Sequence, residues 1–265
     1  PERIVCLTEE TVETLYMLGE DAQIAGVSGY AVRPPQVRRE KPRVSAFISA
    51  DIGKILALDP DLVLTFSDLQ AEIVAELVKR GVAVHAFNQR DVAGIFAMIE
   101  TLAALVGAAA KGAALCARLR TKIEAVKARQ RGLARPRVYF EEWDEPMISG
   151  IGWVSELIGI AGGEDVFPEL AGNKSAKDRF VTADMVIAAA PDIVIGSWCG
   201  KKFRPEKFSA RQGFAALPAV RNGFVREIKS TIILQPGPAA LTDGLDAIAE
   251  IVDMWREGHK TKASA

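Results

Sequence analysis

Residues 108–131, AAAKGAALCARLRTKIEAVKARQR, decide the fold, because they read as one unbroken helix in the middle of the chain. Leu115, Leu119, Ile123 and Val126 recur at helical spacing, while Lys111, Arg118, Lys122, Lys127 and Arg129 lie largely off that stripe. At a rise of ~1.5 Å per residue such a rod spans roughly 36 Å, about the width of a small domain. It is long enough to join two. Basic residues crowd its last turn, where the helix dipole favours cations, and Gly132 and the breaker Pro136 follow.

The reading outward from the rod has three parts: an N-terminal α/β lobe over 1–107, a linking helix over 108–133 and a C-terminal α/β lobe over 134–265. The chain has 265 residues, 49% of them hydrophobic, enough for two buried cores. A net charge of −1 directs it to neither nucleic acid nor an anionic membrane. No run approaches the ~18 apolar residues of a membrane-spanning helix, and the opening PERIVCLTEE enters a strand pattern with no secretion signal visible in it. The three cysteines, Cys6, Cys116 and Cys199, imply no disulfide framework and so do not settle the compartment.

Before the rod, strands are expected at Arg3–Leu7, Ile24–Val27, Leu62–Phe66 and Val82–Phe87, with helices at Glu9–Leu18, Ile52–Leu58, Ala71–Arg80 and Val92–Val106. After it the order returns, with strands at Arg137–Glu141, Ile193–Gly196 and near Phe224–Ile228, and helices at Trp153–Ile160 and Ala183–Ala189. The halves echo each other. IGKILALDPDLVLTFSD at 52–68 aligns with ADMVIAAAPDIVIGSWC at 183–199 when Pro60-Asp61 is laid over Pro191-Asp192. Alternating strands and helices favour mostly parallel sheets, and ligands of such sheets sit beyond the carboxyl ends of the strands. Two such lobes on a rod imply a ligand cleft between them.

Strand ends then name the candidate contacts: Tyr30, Phe47 and Phe66 in the first half, and Glu142, Trp143, Trp153, Arg179 and Trp198 in the second. Aromatic residues are only 7% of the chain, so their gathering after strands points to a broad, flat, partly apolar ligand held by stacking and a few polar groups. Trp198 is expected to stack on that ligand. Glu142 and Arg179 are the candidate polar contacts.

Catalytic chemistry is poorly supported. His85 and His259 lie far apart, no Cys/His cluster has ligand spacing, and no metal site is expected. In GSWCGKK at 196–202 the glycines are one residue too close for a phosphate loop, and Lys202 stands where Ser or Thr would bind magnesium. Cys199 sits at a strand end without an obvious histidine partner, and Ser28 in GVSGY lacks the glycine pattern of a nucleophile elbow. Glu141, Glu142, Asp144 and Glu145 form the densest acidic cluster; of the adjacent pair Glu141 and Glu142, one points to each side of its strand.

Across nearly its whole length, through RIVCLTEETVETLYMLG, GVSGYAVRPP, KPRVSAF, KILALDPDLVLTF, ISGIGWVSELIGIAGGEDVF and VIAAAPDIVI, the chain resembles the class III substrate-binding proteins of ABC importers. Those serve iron siderophores, haem and, above all in likeness, cobalamin. The resemblance implies two Rossmann-like α/β lobes on one rigid helix, no enzymatic activity, no cofactor beyond a cobalamin ligand that carries its own cobalt, an extracytoplasmic monomer, and a permease dimer as partner. It places Tyr30 where a tyrosine lines the cobalamin pocket, and Phe47 and Phe66 where tryptophans do. Family members dock on permease arginines through one acidic residue per lobe. Asp184 matches that position in the second lobe, whereas the first-lobe equivalent is Gly53, with Asp51 two residues earlier. The alternatives are a ferric-siderophore or haem binder, for which Arg179, Lys201, Lys202 and Arg204 offer positive charge, and an intracellular corrinoid-handling protein or thiol enzyme using Cys199.

Overall fold

A computed structural model describes residues 1–263 and divides into two compact units, residues 1–89 with 93–119, and residues 90–92 with 120 onward. The central helix, Ala109–Gln130, is one element, but the division runs through it after Leu119 instead of setting it apart. Leu115, Leu119, Ile123 and Val126 are all buried, as their spacing requires. Gly107 and Gly132, both at positive φ, bracket the helix. Gly112 lets it lie close on the preceding helix, Val92–Leu105, since a Cβ there would come within 2.4 Å of the Ala103 Cβ.

The first unit carries a fully parallel sheet of β1 (Ile4–Cys6), β2 (Ile24–Ser28), β3 (Arg43–Ser45), β4 (Leu62–Phe66) and β5 (Val84–Phe87) in the order β3-β2-β1-β4-β5. β1 and β4 are near-continuous apolar runs because helices cover both faces of such a sheet. Val5, Leu7, Val44, Ile55, Val63, Ile73 and Leu77 form one core cluster. β3 is absent from the sequence expectation. It is three residues long with only Val44 buried, too short to show an alternation.

The second unit builds its sheet from β6 (Arg137–Asp144), β7 (Met147–Ser149), β8 (Glu164–Asp165), β9 (Ile193–Gly196) and β10 (Val225–Glu227), in the order β10-β9-β6-β7 with β8 also on β6. β7 is antiparallel to β6, a departure from the parallel expectation, and the register shifts between Glu141 and Trp143, a bulge that leaves Glu142 without a cross-strand partner. Helix Leu245–Ala263, also not anticipated, packs on helix Gly152–Ile160 with Leu245, Ile248, Val252 and Trp255 buried.

The repeated Pro-Asp has a structural reason. Asp59 and Ala190, each just before the proline, both adopt a left-handed φ that ends a helix. Asp61 then accepts from the Glu2 and Arg3 amides at 2.5 and 3.1 Å, and Asp192 accepts from the Arg137 amide at 2.9 Å. In both units the aspartate secures the start of the neighbouring central strand. Among the described residues no helix is long and apolar enough to cross a membrane.

Candidate functional site

At the carboxyl edge of the first sheet, the segments after β1, β3 and β4 are held together by Gln70, which is fully buried. Its Oε1 accepts from the Phe66 amide at 2.9 Å, and its Nε2 donates to the Leu7 and Phe47 carbonyls at 3.2 and 2.7 Å. Phe66 itself is buried and Phe47 half-buried, whereas Tyr30 is 49% exposed, its amide donating to the Ser28 hydroxyl. Two aliphatic side chains stand out beside these rings, Ile48 at 72% and Leu69 at 58% exposure. Ser67, which closes β4, holds φ 60° and ψ 177°, a conformation rare outside glycine and concentrated at functional sites.

Behind this edge, the first turn of helix Glu9–Leu18 buries Glu9 and Glu10, while Glu13 pairs with Arg33 at 2.8 Å. Burial pushes the Glu10 carboxyl up to about 8, with Glu9 and Glu13 adding to the rise and a hydrogen bond from Thr8 opposing it. A carboxyl raised on folding binds its proton more tightly in the native state, so its stabilising contribution is complete below the ordinary value of 4.5 and is lost as pH climbs through about 8. Glu10→Gln is therefore expected to match the wild type at pH 4 and exceed its stability at pH 9 by on the order of a few kcal/mol, read from urea unfolding at both pH values. Equal stability slopes with pH in the two proteins would refute this. Burial likewise pushes the Cys6 thiol up to about 12, leaving it inert.

The carboxyl edge of the second sheet is a set of ion pairs packed on rings. Of the two adjacent glutamates, Glu141 is the inward one, fully buried, and accepts from Arg211 at 2.6 and 2.9 Å, from the Trp198 indole at 3.0 Å and from the Tyr139 hydroxyl at 3.1 Å. Arg211 is half-exposed at most; burial would lower its pKa, but Glu141 outweighs that and raises it. Glu142 points the other way and pairs with Arg179 at 2.6 Å. Asp144 is buried and takes both Lys201 and Lys207; burial acts to raise its pKa, and the two ammonium groups more than reverse that. Lys201 Nζ also lies 4.1 Å from the Trp143 ring centre and 5.1 Å from that of Trp198.

The expected residues therefore divide. Trp143 is half-buried at the strand end, its indole donating to the Glu145 carbonyl. Trp198 is only 3% exposed, set edge-on against Phe203 at 4.9 Å within the apolar core, so its reading as a free stacking ring is corrected to a core ring. Trp153 is equally interior, its indole donating to the Ile233 carbonyl at 2.9 Å. Arg179, 2% exposed, is engaged by Glu142 and the Ser149 carbonyl and does not stand free as a polar contact. Its buried Nε has no hydrogen-bond partner. Sequence reading missed Gln70 and Arg211, because nothing in their local spacing marks a partner 23 to 70 residues away, and Tyr139, whose hydroxyl meets Glu141 two residues along the same strand.

The two docking candidates also differ. Asp184 occupies the second position of helix Ala183–Ala189, whose cap is the Thr182 hydroxyl. Asp51 instead is the cap of helix Ile52–Ala57, accepting from the Lys54 amide at 3.0 Å and pairing with its ammonium at 3.2 Å. Gly53 stands at the position equivalent to Asp184. Among the described residues no group of three or more His, Cys, Asp or Glu could hold a metal ion.

Comparison with known proteins gives the fold a family. A family profile described as "Periplasmic binding protein" matches residues 4–232. The chain is 26% identical over 255 residues to a vitamin B12-binding protein of Vibrio parahaemolyticus, covering 95% of this chain and 88% of that one. It is 25% identical over 199 residues to a cobalamin-binding protein of Halobacterium salinarum, covering 74% of this chain but only 53% of that longer protein. Among solved structures, the periplasmic vitamin B12 binding protein of Vibrio cholerae superposes with a TM-score of 0.75 at 22% identity, covering 96% of this chain and 97% of that one. The periplasmic heme-binding protein of Roseiflexus sp. RS-1 does so with a TM-score of 0.80 at 24% identity, covering 95% and 99%. With the profile spanning most of its length, the chain belongs to the periplasmic binding protein family.

Proposed function

We propose that this chain captures a corrinoid of the cobalamin type outside the cytoplasm and delivers it to the permease of an ABC importer, with strand-end segments supplying the ligand contacts. As a family member it is a solute binder and not an enzyme; no bond is made or broken. The ligand brings its own cobalt, and the chain acts as a monomer. Asp184, with Asp51 as the nearest first-unit carboxylate, is the docking group for the permease.

The observation that carries the ligand assignment is the charge balance of the second edge. Arg179, Lys201, Lys207 and Arg211 each face a carboxylate of β6, leaving Lys202 and Arg204 exposed. A site for a highly anionic ferric complex would present such cations unpaired, because burying unmatched anionic charge is costly. Paired charges beside rings suit a large ligand of no net charge with an amide-rich rim, as cyanocobalamin is. Its relatives named for vitamin B12 or cobalamin support the same class.

Cyanocobalamin is expected to quench tryptophan fluorescence saturably and to raise the unfolding temperature, the gain reaching about 2.7 kcal/mol when the ligand is at 100 times its Kd. Hemin and a ferric siderophore are expected to do less at equal concentration. A larger thermal shift with either anionic complex, or no response to cyanocobalamin, overturns the corrinoid assignment.

A further inference from the structure

Residues 44–51 form a small hairpin that the ordinary sheet does not require. Ser45 bridges Ala50, the Asp51 amide donates to the Val44 carbonyl at 2.9 Å, and the Ala46 amide donates to the Ser49 carbonyl at 2.8 Å. Phe47 and Ile48 are the two central residues of that turn. Gln70 fastens its tip to the end of β4 through the Phe47 carbonyl. One residue before Gln70, Leu69 is presented by a second tight turn, its amide donating to the Ser67 hydroxyl at 3.3 Å. Both donors of the Gln70 amide and its carbonyl oxygen are thus engaged by backbone, and the side chain is fully buried, which makes it a holder of the two turns.

Ile48 and Leu69 are among the most exposed large apolar residues described, and they flank the same Gln70–Phe47 hydrogen bond. Scattered apolar residues on a surface need no explanation. Two on restrained turns that one hydrogen bond joins, at the carboxyl edge where open sheets take their ligands, do.

We propose that Ile48 and Leu69 are specificity-determining ligand contacts that meet an apolar, methyl-bearing surface of the bound molecule, and that Gln70 is the positioning residue that presets them. The inference rests on the solute-binding reading and names the part of the ligand that the first unit recognises.

Ile48→Ser and Leu69→Ser alter exposed side chains, so both keep the fold, and each is expected to weaken cyanocobalamin binding five- to twentyfold with an unchanged unfolding temperature. Gln70→Met is expected to speed amide hydrogen exchange across 46–49 at least tenfold in the unliganded protein. Added to Ile48→Ser, it weakens binding by less than the product of the two single effects, a coupling that general destabilisation does not produce. If the wild type ignores cyanocobalamin but binds hemin, the corrinoid assignment fails and the serine variants are measured with hemin. Unchanged affinity in both serine variants, for whichever probe binds, overturns the contact role. Unchanged exchange at 46–49 or strictly multiplicative effects overturn the role of Gln70. A chain that binds neither probe overturns both the ligand reading and this one.

Discussion

Arg211→Met is expected to cost the protein roughly 3–5 kcal/mol of unfolding free energy, the range found when one partner of a buried ion pair is removed. Glu141 is the reason. It has no solvent exposure, and Arg211 supplies two of its hydrogen bonds from one guanidinium. Truncating Arg211 leaves a carboxylate in the core with only the Trp198 indole and the Tyr139 hydroxyl beside it. Removing both charges together, Glu141→Gln with Arg211→Met, is expected to recover most of the loss, since a neutral amide can keep the indole bond without an unpaired charge. Urea unfolding of the three variants measures this. A single variant within 1 kcal/mol of wild type would mean that solvent reaches Glu141 after all.

The second large effect falls on Trp198, and it falls on stability where the sequence alone predicts an effect on ligand binding. Trp198→Ala empties a ring-sized space against Phe203 and removes one donor to Glu141, for an expected loss of roughly 3–5 kcal/mol. Trp198→Phe keeps a ring but loses the indole N–H and is expected to cost about 1–2 kcal/mol. Titrating ligand into the folded fraction separates the roles. If Trp198→Ala left the unfolding midpoint in place while abolishing binding, the ring would belong to the ligand surface and not to the core.

The burial of Trp153 and Trp198 is not legible in the sequence, whereas the fold is. The fold is legible because its signals can be read along the chain: the near-continuous apolar runs in β1, β4 and β9, the apolar stripe of Ala109–Gln130, and the recurrence of Pro-Asp at 60–61 and 191–192. A ring just after a strand carries no such signal about which way it turns. On β6 the bulge between Glu141 and Trp143 disrupts the simple alternation that assigns side chains to faces, so Asp144 turns inward where counting alone does not place it. β7 is hidden for a related reason: it is three residues long, and its partner strand carries three acidic residues, Glu141, Glu142 and Asp144, near its end. Helix Leu245–Ala263 is legible in the helical spacing of Leu245, Ile248, Val252 and Trp255. Gln70, by contrast, could not have been found, since an isolated glutamine gains its meaning only from carbonyls 23 and 63 residues away.

Asp61 and Asp192 set the registration of their sheets at the amino end, by gripping the first amides of the neighbouring strands. The ligand contacts proposed above lie at the other end of the same strands. A change in the length of a carboxyl-edge loop therefore leaves the aspartate grip on the strand starts untouched, and is expected to alter ligand choice before it alters strand registration.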